Sequence, residues 1–457
     1  MLYAPVLSLV IFLATLFLMV RQPKGINLGA AAAIGAVTSL LLGTVSVDEA
    51  AAAFMDIWDA ALAFVGIVTM SVTLDVMGFF KWAALRVAKM ANGSGVRLYF
   101  YISLLSAAVS VLFANDSAVL ILTPIVLEIM NQLRIDRRGM LAYLFAAGLI
   151  ADTAAMPLIT SNPVNIVSAN YFGYTFIEHL AFMGPVSVVT IAMSIGVVYL
   201  FFRKNIPPSY SATLVDTLMI DGAIIRPTRL RLSVATLVAI DVGYVWASLN
   251  GVPVSFVICA GAAFLVAVFS VTRRKEYPIK EERRTVRDIM RRVNWDILVF
   301  MVGIFLVVQG LRHAGVIDLY ADLFARASAL PSVLSTLVPS LIVTVSASAM
   351  NNWPMTMLGL LSIERAAGHH ALGGRGVTLL VFSNIIGNNL GPHFFPLGSL
   401  AILMWLNTMK AKGLTIGLAD YLRVGSVLSV LEVAVASIIL WVEVNYLNMV
   451  LSLRSGT

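Results

Sequence analysis

Cysteine and charge are both scarce in this sequence. A single cysteine, Cys259, stands among 457 residues. It excludes an intramolecular disulfide and any multi-cysteine metal or iron–sulfur centre. Charged residues make up 12% of the chain, where an average soluble domain carries about a quarter. A cytosolic enzyme, a disordered chain and a disulfide-stapled secreted module are thereby ruled out. The GxxxxGKS/T pattern that cradles nucleotide phosphates is also missing, so the sequence makes no provision for intrinsic ATP hydrolysis.

What is present is apolar. Hydrophobic residues fill 60% of positions, and the mean hydropathy is +0.92. A helix needs about 20 mainly apolar residues to cross the hydrocarbon core. Such segments lie near 4–20, 28–46, 58–79, 97–133, 140–170, 183–202, 231–249, 253–272, 295–311, 332–363, 376–407 and 424–445. They are too long and too uniformly apolar for membrane strands of about ten alternating residues. The fold class is therefore an all-α polytopic membrane protein. Residues 1–20 lack a basic leader and read as a retained first span.

Lys and Arg collect in cytoplasmic loops. With the first span ending inside, 26 of the 31 basic residues fall in inner loops, nine of them within 273–292. Both termini then lie on the outer side. This asymmetry accounts for the net charge of +7 without a nucleic-acid partner.

Segment 97–133 is too long for one crossing, yet both its flanks are basic. A re-entrant hairpin turning near Ala114–Ser117 resolves the conflict; two ordinary spans with a tight loop are the alternative. Segment 332–363 repeats the situation from the outer side, turning near Met350–Trp353. The halves carry matching landmarks. FANDSAVLILTP (113–124) and GLIADTAAMPLITSNPVNI (148–166) answer to SAMNNWPMTMLG (348–359) and SNIIGNNLGPHFFPLGSLA (383–401). A shift of 236 pairs Asn115 with Asn351, Asp116 with Asn352, Asp152 with Asn388 and Thr153 with Asn389, whereas Gly78 and Gly315 pair at 237. One hairpin opens inward and the other outward, so the copies are inverted, as in many secondary transporters.

The expected organisation is an extra N-terminal span (1–26), repeat 1 (27–202, hairpin 97–133, broken helix 140–170) and a cytoplasmic linker with a connecting span (203–252). Inverted repeat 2 follows (253–445, hairpin 332–363, broken helix 376–407), then a short tail (446–457). That makes about ten full spans, two hairpins and two broken helices. The breaks follow from Pro157, Pro163, Pro392 and Pro396 with Gly387, Gly391 and Gly398, because proline and glycine weaken helices.

Polar residues crowd these places. Asn115, Asp116, Asp152, Thr153, Asn351, Asn352, Asn388 and Asn389 are the candidate substrate-binding residues, with Asn162, Asn165 and Asn384 beside them. Asparagine supplies both donors and acceptors; gluing helices together is the competing role. A carboxylate in a membrane interior is costly and usually faces a cavity, which makes Asp116 and Asp152 the candidate proton carriers. Each could instead bond a broken helix end. Asp59, Asp75, Asp241, Asp296, Glu432 and Glu443 read as mostly interfacial, with Asp241 and Glu432 the least explained. His393 sits in the second broken stretch, either titrating or merely lining it. His369 and His370 have no ligand partners, so no metal or other cofactor is expected.

With RQPKG (21–25), GFFKWAAL (78–85), LFANDSAVLILTPI (112–125), AAGLIADTAAMPLITSNPVNIVSA (146–169), FFRKNIPPSY (201–210), MNNWP (350–354) and NLGPHFFPLGSLA (389–401), the sequence resembles arsenite/antimonite efflux permeases of the ArsB type, within the ion transporter superfamily. The resemblance runs nearly end to end. It implies export of trivalent arsenic or antimony across a bacterial-type inner membrane in exchange for protons, and in some bacteria a soluble arsenite-stimulated ATPase as partner. The superfamily implies a scaffold domain and a moving transport domain. Some relatives are expected to carry an acid where this chain has Asn389. The basic stretch 273–292 is the surface for either that ATPase or anionic lipid. A sodium/proton or sodium/carboxylate carrier of the same superfamily, a passive channel and an intramembrane hydrolase remain as rival readings.

Overall fold

In the computed structural model of the chain, residues 3–216, 227–276, 285–370 and 372–452 are described. Among them the regular structure is helical, apart from an isolated bridge between Ser94 and Ser209. The first half contains α1 (Tyr3–Arg21), α2 (Leu28–Leu41), α3 (Val47–Val76), α4 (Phe79–Met90), α5 (Gly95–Phe113), α6 (Asn115–Gln132), α7 (Arg137–Phe145), α8 (Pro163–Phe172) and α9 (Phe176–Phe202). After it come α10 (Pro227–Leu249), α11 (Val254–Glu276), α12 (Val286–Arg292), α13 (Trp295–Gln309), α14 (Val316–Ser328), α15 (Leu334–Met350), α16 (Asn352–His370), α17 (Gly374–Leu390), α18 (Leu400–Ala411) and α19 (Leu418–Asn445). The linker and the basic stretch predicted at 203–252 and 273–292 fall partly outside the described residues.

Local chemistry starts and stops these helices. Ser46 with Glu49 and Thr175 with Glu178 form capping boxes at the heads of α3 and α9, each satisfying otherwise orphaned N–H groups. Gly78 ends the α3 segment in a left-handed conformation at φ 84°, and Gly315 does the same before α14 at φ 72°. Among the described residues, seven helices are long and apolar enough to cross a membrane by length and composition, α3, α9 and α19 among them. Their outward sides stay apolar: Val188 and Leu200 on α9, Val238 and Trp246 on α10, and Val430 and Ile438 on α19 are exposed. A water-soluble protein rarely exposes apolar surface on this scale. The chain is a multi-pass membrane protein.

Several elements of the two halves recur at one spacing. Gly78 and Gly315 lie 237 positions apart, as do the starts of α4 and α14, of α6 and α16, of α7 and α17, and of α8 and α18. The hairpin tips obey the same spacing: α5 and α6 meet at Ala114 (φ 64°, ψ 147°), α15 and α16 at Asn351 (φ 81°, ψ 151°). The shift of 236 expected for the asparagines is therefore corrected to 237. Asn115 answers to Asn352, Asp116 to Trp353 and Asp152 to Asn389. A left-handed residue breaks each hairpin, so the backbone fixes the register that two adjacent asparagines left ambiguous.

The halves also exchange helices. α2 packs on α13, and α11 packs on α3. Gly66 and Gly303, again 237 apart, permit both approaches. A Cβ on Gly66 would lie 2.6 Å from Ile258 Cγ2, and one on Gly303 2.8 Å from the Ala32 carbonyl carbon. The helices gather into two packing groups, α1–α3 with α10, α11 and α13 in one, and α5–α7 and α9 with α15–α19 in the other, while α8 packs on α3 of the first and on α16 and α17 of the second.

Candidate substrate and proton site

Both broken helices come apart where proline and glycine predict. α7 runs on through a wide π-type turn at Ala146–Ile150 and a last helical turn at Ala151–Thr153; such turns often mark functional positions. The chain then unwinds, with a single 3-10 turn at Ile159–Ser161, up to Asn162, whose side chain accepts from Val164 N at 3.2 Å and caps α8. In the second half α17 stops at Leu390, two single 3-10 turns follow, and Ser399 caps α18. The hairpin tips open helices α6 and α16, whose first N–H groups lack intrahelical partners.

The two broken stretches touch. Asp152 accepts from Asn115 Nδ2 at 2.6 Å through Oδ1, while its Oδ2 lies 3.3 Å from His393 Nε2. That second contact is an ion-pair approach rather than an aligned hydrogen bond, since neither atom has a hydrogen-bond partner. The other ring nitrogen, His393 Nδ1, is 2.7 Å from Glu432 Oε2. Glu432 Oε1 accepts from Thr153 Oγ1 at 2.6 Å and from Ser194 Oγ. A second bridge forms alongside: Asn389 donates to Asn165 Oδ1 at 3.0 Å and accepts from Asn162 Nδ2 at 2.9 Å. All these side chains are buried.

The predicted site residues divide into two kinds. Asn351 is committed to the protein itself, accepting from Trp353 N of its own hairpin at 3.2 Å and donating to the Leu397 carbonyl of the second broken stretch at 3.2 Å. Thr153 and Asn389 are spent on the two bridges. Asn388 donates to both oxygens of Asn384 at 2.9 Å. Asp116 is buried yet makes no hydrogen bond to a described residue. Among these predicted residues four buried acceptor atoms receive no hydrogen bond: Asn115 Oδ1, Asp152 Oδ2, Asn352 Oδ1 and Asn388 Oδ1. Unpaired buried polar atoms are rare and call for an explanation.

Sequence reasoning underrated Glu432 and left His393 open. Its only signal for Glu432 was an acid ten or more residues from either end of the long apolar helix α19. Asp59 and Asp296, expected to be interfacial, are bonded: Asp59 Oδ2 accepts from Asn170 Nδ2 at 2.9 Å and its Oδ1 from Ser255 N at 3.3 Å, while Asp296 Oδ1 accepts from Gly29 N at 3.0 Å.

Comparison with known proteins bears on this arrangement. Residues 7–444 match the family model ArsB, described as arsenical pump membrane protein. This chain belongs to the arsenical pump membrane protein family. Within that family it is 37% identical over 438 residues to an arsenical pump membrane protein of Escherichia coli, covering 95% of this chain and 98% of that one. A Yersinia enterocolitica arsenical pump membrane protein is 37% identical over 437 residues, with the same coverage. Among solved structures, the YdaH transporter of Alcanivorax borkumensis, described as having an unusual topology, superposes with a TM-score of 0.56 over 88% of this family member and 90% of its own chain. At 13% identity that likeness concerns the fold alone.

Proposed function

We propose that the chain exports arsenite, and antimonite with it, across a bacterial inner membrane as neutral trihydroxy molecules in exchange for protons. It is a transporter rather than an enzyme. The observation that carries the reading is the set of four buried oxygens without donors, on Asn115, Asp152, Asn352 and Asn388. Arsenous acid is compact, uncharged at neutral pH and carries three O–H donors, so it brings what these acceptors lack. Leaving such acceptors unpaired costs about 1–3 kcal/mol each. No lysine or arginine among the described residues hydrogen-bonds to any of these four side chains, which disfavours a carboxylate substrate.

Proton exchange follows from competition. An ionised carboxylate accepts substrate O–H groups on both oxygens, and a proton arriving on it turns one acceptor into a donor and weakens that hold. Asp152, joined to Asn115 and His393, is placed for this role; Asp116, buried and unbonded, is the second candidate. The packing groups supply the expected scaffold (α1–α3, α10, α11 and α13) and moving transport unit, with the two halves inverted in the membrane. The same reading places both termini outside and leaves the basic 273–292 stretch facing the cytoplasm, toward lipid or a soluble arsenite-stimulated ATPase.

The test uses everted vesicles from cells without their own exporter. An imposed pH gradient, acid inside, is expected to drive arsenite uptake, and uptake that persists after the gradient is fully collapsed overturns proton coupling. Sodium-dependent uptake would instead favour the sodium carrier.

A further inference from the structure

We propose that the exchanged proton is held between His393 Nε2 and Asp152 Oδ2, and that Glu432 is the positioning residue that keeps the imidazole turned for it. The inference rests on the proton-exchange reading above and assigns the atoms that reading leaves open.

Glu432 is fully buried on α19, and its two oxygens are occupied by three neighbours. Oε2 faces His393 Nδ1 at 2.7 Å, and Oε1 accepts from Thr153 Oγ1 and Ser194 Oγ. Hydroxyls from two other helical segments thus hold the carboxylate in place. An ionised carboxylate only accepts, so Nδ1 must carry its hydrogen. The exchangeable position of the ring is then Nε2, because the hydrogen bond at one nitrogen decides which form the other takes. Nε2 lies 3.3 Å from Asp152 Oδ2, off hydrogen-bond alignment, and has no other partner.

With a proton on Nε2, the imidazolium faces Asp152 and the three side chains carry one net negative charge. When that proton leaves, a nitrogen lone pair and a carboxylate oxygen confront each other at the same distance and the net charge is two. Only a donor placed between or beside them relieves this state. A substrate hydroxyl is such a donor, and Asn115 Nδ2 already serves the other oxygen of Asp152 at 2.6 Å. Substrate therefore favours the deprotonated trio and a proton favours the empty one, which is the exclusion that an exchanger needs. The proton comes from the outer medium onto Nε2, leaves Nε2 for the cytoplasm, and no other bond changes. The further titratable groups near the trio are the buried Tyr421 on α19 and Asp116 beyond Asp152.

The position of these groups explains the chain's asymmetry. Asp152 has Asn389 as its counterpart, and Asn389 is engaged by Asn162 and Asn165. One half supplies the titrating pair, while the other keeps a neutral bridge at the equivalent place.

The full-length protein in proteoliposomes tests the assignment, with arsenite as the probe. Two rates are compared, gradient-driven uptake and arsenite–arsenite counterflow without a gradient. Glu432→Gln is expected to lose gradient-driven uptake by about ten- to a hundredfold, the range found where a carboxylate that orients a metal-bound imidazole is removed, and His393→Gln, which removes the exchanging nitrogen, at least as much. Counterflow should persist in Glu432→Gln, which leaves Asp152 and the imidazole in place, and Glu432→Asp should restore part of the driven rate. Gradient-driven uptake at the wild-type rate in both variants overturns the proposal. So does parallel loss of both rates in monodisperse Glu432→Gln, the result expected of a merely structural residue. If the variants do not survive purification, wild-type protein in weakly buffered detergent decides: arsenite binding should release protons, and binding without release overturns the assignment. Wild-type liposomes that take up no arsenite under a gradient would remove the exchange reading itself, an outcome distinct from wild-type uptake that the variants share.

Discussion

Asp59 and Asp296 hold equivalent places in the two halves, 237 positions apart, and each caps a helix of the opposite half. Asp59 receives Ser255 N at the head of α11, and Asp296 receives Gly29 N at the head of α2. Helix N-termini are satisfied most readily by such short acidic side chains. Replacing Asp296 by Ala is expected to cost about 0.5–2 kcal/mol, and Asn, which keeps the acceptor, much less. Asp59→Ala should cost more, because it also releases Asn170. Thermal unfolding in detergent measures both.

A second pair of equivalent positions has its charges exchanged. Lys81 on α4 meets Glu128 on α6 at 3.5 Å, and Asp318 on α14 meets Arg365 on α16 at 2.7 Å. Lys81 corresponds to Asp318 and Glu128 to Arg365. These pairs are half exposed, so each is worth about 0–1 kcal/mol and is screened by salt. A double-mutant cycle on Asp318 and Arg365 should give a coupling within that range, shrinking as salt rises.

The hairpin tips carry strain of unequal kinds. Ala114 sits at φ 64° and ψ 147°, a region in which non-glycine residues pay about 1–3 kcal/mol. Ala114→Gly is expected to raise the unfolding temperature. Asn351→Gly should gain less, since it gives up the bonds to Trp353 and Leu397.

Asn389 is expected to be the most costly of the asparagines to remove. Its loss breaks bonds to Asn162, Asn165 and the Ile385 carbonyl and leaves buried groups unpaired, at about 1–3 kcal/mol for each stranded group. Asp116→Asn, by contrast, breaks no hydrogen bond in the structure and should leave unfolding unchanged. Measuring its gradient-driven uptake alongside unfolding separates a transport role from a structural one: a normal rate clears Asp116 of proton coupling.

Much of this architecture is legible in the chain itself, for physical reasons that differ from residue to residue. Asn, Pro and Gly inside apolar runs are local signals, so the order of amino acids alone places the hairpin turns near 114–117 and 350–353 and the unwound stretches around Pro157 and Pro392. Glu432 could not be assigned, because its partner Thr153 lies 279 residues away and a lone acid in an apolar helix has no local signature. The register of the repeat slipped by one position for a related reason. Asn351 and Asn352 are chemically identical neighbours, and only the left-handed backbone at the first of them tells which one forms the turn. The capping roles of Asp59 and Asp296 were hidden because both act on helices far away in the chain.

The exchange of helices between halves has a consequence for biogenesis. Domains made early usually fold before later ones emerge from the ribosome. Here α2 must wait for α13, and α3 for α11, so the first half leaves the translocon with two seams exposed to lipid. Gly66, Gly303 and the two capping aspartates close those seams only after synthesis of the second half. Expressed apart, the halves should each be degraded; expressed together, they should rescue one another.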